Sequence, residues 1–348
     1  MWYEDVLEYY RSNSELRREH LINFLRCNDS EVWERLRQEA DRVRREWVGD
    51  QVQIRGIIEF SNYCTRNCHY CGINRNNLDV YRYRIPPEEI ISTAKHAVEM
   101  GFKTIVLQSG EDFYYTGPML AEVVREIKKL DAAITLSVGE RSYEDYQMWR
   151  DAGADRYLLK FETSSSELYK NMHPGTGLAG RLAKLQELRE LGYQLGSGMM
   201  IGLPGQTIDI LANDIMVLKV LKLEMAGIGP FIPHPGTPLA EADNGSTDLT
   251  LKALALARLV VPWAHLPATT ALCSLNKDGR QVGLNSGANV VMPNLTPLKY
   301  RKYYEIYPQK AEVIDPPEKL YEDVKILIRQ MGREIAADYG HGLLTQQN

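Results

Sequence analysis

Three cysteines, Cys64, Cys68 and Cys71, stand at the spacing C-x3-C-x2-C in the run Cys64-Thr-Arg-Asn-Cys68-His-Tyr-Cys71-Gly72. Thiolates are soft ligands, suited to iron–sulfur clusters and to zinc. A structural zinc site takes four ligands. The nearest fourth candidate, His69, lies between two of the cysteines and is expected to point away from their common focus. Cys27 and Cys273 are distant in sequence and show no paired spacing. Three thiolates holding three corners of a cubane cluster, with the fourth position open, form a catalytic layout rather than a structural one.

Such a loop needs a rigid support. The apolar run at 52–60 directly precedes it and reads as a buried strand, so the cysteines leave its C-terminal end. From residue 51 onward, strand-like runs alternate with amphipathic helical patterns, which predicts βα units and a parallel sheet. Strands are expected at 52–60, 104–108, 133–138, 156–160, 194–201, 225–231, 268–272 and 289–292. Helices are expected at 87–100, 119–129, 143–152, 181–191, 208–221 and 249–261. Eight strands over about 240 residues fit an α/β fold of the complete (β/α)8 TIM-barrel type; an open doubly wound sheet is the alternative. Apolar residues three and four apart predict helices in the first 50 residues, with the basic run at 42–45 on a solvated face. The expected organisation is an N-terminal helical extension at 1–50, the barrel at 51–310, and a C-terminal helix (320–337) and mobile tail within 311–348.

Sites in parallel barrels lie at the C-terminal ends of the strands, so the residues there form a set. Strand two runs into Gln108-Ser109-Gly110-Glu111-Asp112, and strand three into Ser137-Val-Gly139-Glu140. On strand four, alternation puts Arg156, Leu158, Lys160 and Glu162 on one face. Charges inside a barrel need partners, which predicts an ionic lining for an anionic ligand. Arg181 offers bidentate bonding to a carboxylate; an ordinary surface salt bridge is an equal reading for it alone. His234, between prolines, reads as a turn residue, and the Met199-Met200 pair as core packing. Thr269 and Thr270, after strand seven, offer two hydroxyls to a small anion.

The C-x3-C-x2-C loop with Tyr70 before its last cysteine resembles the signature of the radical S-adenosylmethionine (SAM) enzymes. That resemblance implies one 4Fe–4S cluster on Cys64, Cys68 and Cys71, with SAM on the open iron. Reductive cleavage of SAM to a 5′-deoxyadenosyl radical would follow. Ser109-Gly110-Glu111 would take the place of the family's Gly-Gly-Glu-like motif for the SAM amino group. Tyr70, Ser137, Glu162 and Arg181 would complete the SAM pocket. The runs Thr104-Ile-Val-Leu-Gln-Ser-Gly-Glu-Asp112, Gly202-Leu-Pro-Gly-Gln-Thr-Ile-Asp209, Gly227-Ile-Gly-Pro-Phe-Ile-Pro-His-Pro235 and Gly287-Ala-Asn-Val-Val-Met-Pro-Asn294 are similar to the HydE family of FeFe-hydrogenase maturases, in the biotin synthase-like group. This likeness spans roughly residues 40–310. It implies action on an iron–carbonyl–cyanide–cysteine precursor, with Arg55, Arg156, Thr269, Thr270 and Tyr304 lining the substrate cavity. It also implies an electron donor such as ferredoxin or flavodoxin, and other hydrogenase maturation proteins as partners.

Two departures stand out. Lys160 occupies a position where the family carries arginine, which alters the expected anion site. No cysteine follows Cys273, so a second, peripheral cluster bound by some members is not expected. A methylornithine synthase-like mutase and a non-catalytic cluster carrier are the alternative readings. A biotin synthase would need further cluster cysteines.

Composition sets the outer bounds. The chain has 348 residues, 44% hydrophobic and 25% charged, ordinary values for a globular protein. A net charge of −5 gives no case for nucleic acid or an anionic membrane as partner. No apolar run approaches a membrane span, and the acidic start lacks the order of a signal peptide. Five cysteines, three of them clustered, do not form a disulfide framework. A reducing, cytoplasmic setting is expected.

Overall fold

The computed structural model describes residues 1–310 and 314–344. A short strand β1 (Gln51–Ile54) is followed, after Arg55, by β2 (Gly56–Ser61), β3 (Thr104–Ser109), β4 (Ala133–Ser137), β5 (Arg156–Leu158), β6 (Gln194–Ile201) and β7 (Met225–Pro230). Strands β2 to β7 form one parallel sheet in sequence order. Helices Pro87–Glu99, Gly117–Lys128, Tyr143–Asp151, Leu178–Glu190 and Ile208–Val220 lie between successive strands. Their starts are chemically marked: Thr116, Ser142 and Thr207 each accept a backbone N–H from the first helical turn, the cap that leaves fewer orphan donors. Ile58 pairs with Leu107 and Leu107 with Leu136, all fully buried, as a parallel sheet covered on both faces requires.

A second parallel sheet has the order β8-β1-β9, with β8 at Val290–Val291 and β9 at Glu334–Ile335. The predicted strand at 52–60 is therefore two strands serving two sheets, broken at Arg55. Isolated parallel bridges join Met225 to His265, Pro267 to Val290 and Ile57 to Asn294.

Other expected elements differ as well. The stretch 268–272 is not a strand: Thr270–Leu275 is helical, and the Thr269 hydroxyl caps it by accepting from Leu272 N. A short apolar run cannot be assigned by periodicity alone, and here the threonine cap decides. The C-terminal helix ends at Gln330 rather than 337, because Gly332 takes φ +68° and turns the chain into β9.

Helices Trp2–Asn13, Arg18–Arg26 and Ser30–Val48 precede the sheet. They bury Leu21, Phe24, Leu36, Ala40 and Val43, and Arg18 and Arg26 both pair with Asp209 at the start of helix Ile208–Val220. The basic run is not wholly solvated: Arg44 is buried and bonds to Asp41 and Asp50.

The tail is not free as expected. Beyond β9 it passes beneath the N-terminal ends of the strands, where Gly340 O accepts from Arg55 Nη2 at 3.0 Å. Tyr339 O accepts from Thr104 Oγ1 and from Arg156 Nη2. Residues 345–348 of the expected tail, and 311–313 at the expected domain boundary, lie outside the described residues. Among the described residues no helix is long and apolar enough to cross a membrane.

One buried carboxyl ties two strand-end loops together. Asp214, on helix Ile208–Val220, accepts from Ser164 N and Oγ at 2.5 and 2.6 Å and from Gln206 Nε2 at 2.9 Å. Gln206 in turn bonds Gly202 N and Met200 O. Burial outweighs these donors and pushes the Asp214 carboxyl up from 3.8 to about 6. A carboxyl raised on folding contributes stability below its unfolded value and loses it as pH rises through the folded value. Asp214→Asn does not titrate. The stability of the wild-type chain relative to this variant should therefore fall by up to about 3 kcal/mol between about pH 4 and about pH 7. Urea unfolding across that range is the check, and a pH-independent difference would refute the burial account.

Candidate active site

The cysteine loop leaves the C-terminal end of β2 and is held by the end of β3. Gly110 N bonds Ser61 O, and Thr65 N bonds Glu111 O. Cys64 Sγ accepts from the backbone N–H of Arg66 and of Glu111, each at 3.4 Å. A β-carbon on Gly110 would stand 2.1 Å from Tyr63 O and 2.9 Å from Cys64 Cβ. The middle position of Ser109-Gly110-Glu111 is thus glycine because the cysteine loop lies against it. Cys71 N bonds Cys68 O, and Gly72 N bonds Ile306 O.

All five cysteines are free thiols. Burial raises the Cys64 thiol and lifts Cys68 to about 12, with the Cys64 charge adding to it. Cys71 is also raised, by burial and then by its two neighbours. Three thiols whose ionisation is opposed by burial and by one another need a shared cation to become thiolates. Among the described residues no three His, Cys, Asp or Glu converge as a single bound ion would require. The donor chemistry fits an iron–sulfur cluster set among three sulfurs.

Beside the loop runs a chain of charges. Arg66 pairs with Glu111 at 2.7 Å and Glu140 at 3.0 Å, and Glu111 Oε2 accepts from Glu140 N. Arg181 Nε reaches Glu140 at 2.7 Å while its Nη1 donates to Lys160 O. Arg181 forms an ion pair, but inside this network rather than on the surface. Lys160 Nζ lies 2.9 Å from Glu162 Oε2. Glu162 takes φ +63°, rare for a residue with a β-carbon. The cause is local: the Ser197 hydroxyl accepts Phe161 N in place of a backbone carbonyl, interrupting the ladder after β5. The interruption re-aims the next side chains, as irregularities near sites do. The predicted strand at 156–160 accordingly stops at Leu158.

Tyr70 OH lies 2.9 Å from His173 Nε2 and 3.4 Å from Glu162 Oε1. Burial, and then the Arg181 charge, lower the His173 imidazole to about 4. Nothing in the spacing of His173 along the sequence marks it as a partner of Tyr70.

One cavity of about 290 Å³ opens at this end of the sheet. Tyr70, Cys71, Lys160, Glu162, Thr269, Thr270 and Arg55 line it together. Arg55 is buried; its Nη2 meets the tail carbonyl of Gly340, and its Nε has no hydrogen-bond partner among the described residues. Tyr304 is buried beside the wall and bonds to Gln108, which lines the cavity. Ser109 turns its hydroxyl onto Gly110 O, and Ser137 ends β4 in register with Gln108. Arg156 departs from expectation, because it is outside the lining. As the first residue of β5 it stands at the opposite end of the sheet, where Thr104, Gln194, Tyr339 O and His341 occupy its guanidinium. Strand alternation gave its face correctly but not its depth. Gln108, from the strand-end run, lines the cavity too, and Glu59, His265 and Lys310 line it without having been expected. The signal for Glu59 was present, since an acid at the centre of an apolar strand has to face something polar.

Residues 58–216 match the family described as the radical SAM superfamily. The chain is 49% identical over 326 residues, 94% of each sequence, to the FeFe hydrogenase maturase subunit HydE of Thermotoga maritima. It is 33% identical over 270 residues to the 3-methylornithine synthase of Methanosarcina acetivorans, covering 77% of this chain and 76% of that one. A crystal structure of methylornithine synthase superposes with a TM-score of 0.82 at 27% identity, over 97% of each chain. With its cysteine loop and near full-length likeness to one maturase, the chain belongs to the radical SAM superfamily and, within it, to the family of the hydrogenase maturase HydE.

Proposed function

We propose that this protein cleaves SAM reductively and applies the resulting radical to an iron–carbonyl–cyanide–cysteine precursor during assembly of the FeFe-hydrogenase active site. The observation that carries this reading is the likeness to HydE at 49% identity over 94% of both chains. A 4Fe–4S cluster on Cys64, Cys68 and Cys71 would supply the electron and the open iron for SAM. The chain's own residues do the rest. Ser109-Gly110-Glu111 and Ser137 would hold the SAM amino group, and Glu162, Arg181 and Tyr70 would bound the adjoining pocket. Arg55, Lys160, Thr269 and Thr270 present cationic and hydroxyl groups to the substrate, with Tyr304 behind them. The orphaned Arg55 Nε suits an anionic ligand, since a buried donor without a partner is costly. Arg156 acts from below, through the tail it holds.

The isolated bridges at His265, Pro267 and Asn294 support a complete (β/α)8 barrel at 51–310, with residues 1–50 as its extension and 311–348 as its C-terminal part. This reading includes one cluster, on Cys64, Cys68 and Cys71. A ferredoxin or flavodoxin would reduce it in a reducing cytoplasm, where the other hydrogenase maturation proteins also act. The TM-score of 0.82 to methylornithine synthase favours a second reading, a mutase acting on an amino acid in the same chamber.

Reconstituted protein, incubated anaerobically with SAM and dithionite, should give an adenosine-derived product that changes when the precursor is added, followed by mass spectrometry. 5′-Deoxyadenosine indifferent to the precursor but responsive to lysine would favour the mutase instead. Cys68→Ala should abolish SAM cleavage altogether, and retained turnover would remove the cluster assignment. Gly110→Ala should lose most of its bound iron and sulfide, because the added carbon collides with the Tyr63 carbonyl; full iron content by chemical analysis would show that the loop can move aside.

A further inference from the structure

The chamber wall contains an ion pair for which the SAM pocket has no use. Glu59 lies midway along β2 with its side chain 2% exposed. Its Oε2 accepts from Asn294 Nδ2 at 2.8 Å, and its Oε1 pairs with Lys310 Nζ. Lys310 is nearly as deeply buried, and its ammonium stands 4.9 Å from the centre of the Tyr304 ring. It lines the same cavity as Lys160, Thr269 and Thr270. The preceding segment lies across the cysteine loop: Asn62 Nδ2 donates to Tyr303 O and Gly72 N to Ile306 O. Gln309 then takes φ +52°, which turns Lys310 inward.

Stability alone does not account for the pair. Desolvating two charges costs several kcal/mol per ion, and well-packed apolar side chains of the same volume hold a structure as well or better. The ammonium has three donors. Glu59 takes one, Tyr304 O takes a second at 3.5 Å, and the third has no protein partner among the described residues. A cation with a donor to spare, fixed in place by a carboxylate behind it, is suited to gripping an anion from the cavity side.

We propose that Lys310 recognises substrate, its ammonium held by Glu59 and donating to the carboxylate of the cysteine ligand of the precursor. This rests on the functional reading above. The test is a cycle between residue and ligand group. Binding of the precursor and of its cysteine carboxamide analogue is measured on the reconstituted holoprotein with SAM, by calorimetry under anaerobic conditions. The wild-type protein should prefer the carboxylate by about 10-fold or more, the range of a charge-assisted hydrogen bond. Lys310→Met should remove that preference, and Lys310→Arg should keep most of it. Because Lys310→Met strands Glu59 without its partner, the double variant Glu59→Gln/Lys310→Met is included. It removes both charges, should melt near the wild-type temperature, and should also lose the preference. A folded double variant that still favours the carboxylate overturns the proposal. So does a wild-type protein that turns the precursor over yet binds the carboxamide equally well, with no variant needed. A wild-type protein that neither binds nor converts the precursor overturns the functional reading itself, and Lys310 recognition of this ligand with it.

Discussion

A charge removed from water must be met by a partner within hydrogen-bond reach, or it does not stay charged. The chamber is organised by that constraint. Three basic and two acidic side chains line it, Arg55, Lys160, Lys310, Glu59 and Glu162, besides Cys71, His265, Tyr70 and Tyr307. Glu59 is matched by Lys310 and Glu162 by Lys160, while Arg55 is met by a backbone carbonyl. Beyond the wall, Arg66, Glu111, Glu140 and Arg181 form a relay in which each carboxylate touches a guanidinium. The balance is close but favours the cations. An anionic guest is therefore more easily accommodated than a cationic one, apart from whatever positive charge SAM and the cluster bring.

The cysteine loop and the strands around it were readable from sequence because their signals are local. Three thiols at fixed spacing need no partner elsewhere to be recognised. Ser109-Gly110-Glu111 was readable for the same reason, and the structure adds why glycine is needed there. Strand periodicity put Lys160 and Glu162 on one face, and both line the cavity, although the ladder is interrupted between Leu158 and Glu162. What failed was depth and long-range pairing. Arg156 lies on the expected face but at the far end, since alternation says nothing of how far along the axis a residue stands. His173, Glu59 and Lys310 draw their roles from partners about 100 to 250 positions away, beyond any window of periodicity. Thr269 and Thr270, singled out for their hydroxyls, lie at the cavity within a segment wrongly expected to be a strand. There the Thr269 hydroxyl starts a helix while Thr270 faces the cavity.

The likeness to 3-methylornithine synthase alongside the closer likeness to HydE is informative physically. One scaffold can serve both because it fixes the cysteine loop through backbone contacts, which survive changes in side chain. Side chains on the remaining wall are then free to differ. In this chain that wall carries Arg55, Lys160, the threonine pair and the Glu59–Lys310 pair.

The segment beneath the strands has a consequence for folding. Residues 339–342 complete the coordination of Arg55, Arg156, Gln194 and His265, from positions far along the chain. Contacts between segments distant in sequence carry their loop-closure cost before they reward it. Until residues 339–342 dock, two buried guanidinium groups lack the carbonyls that solvate them, and the base of the chamber stays open to water.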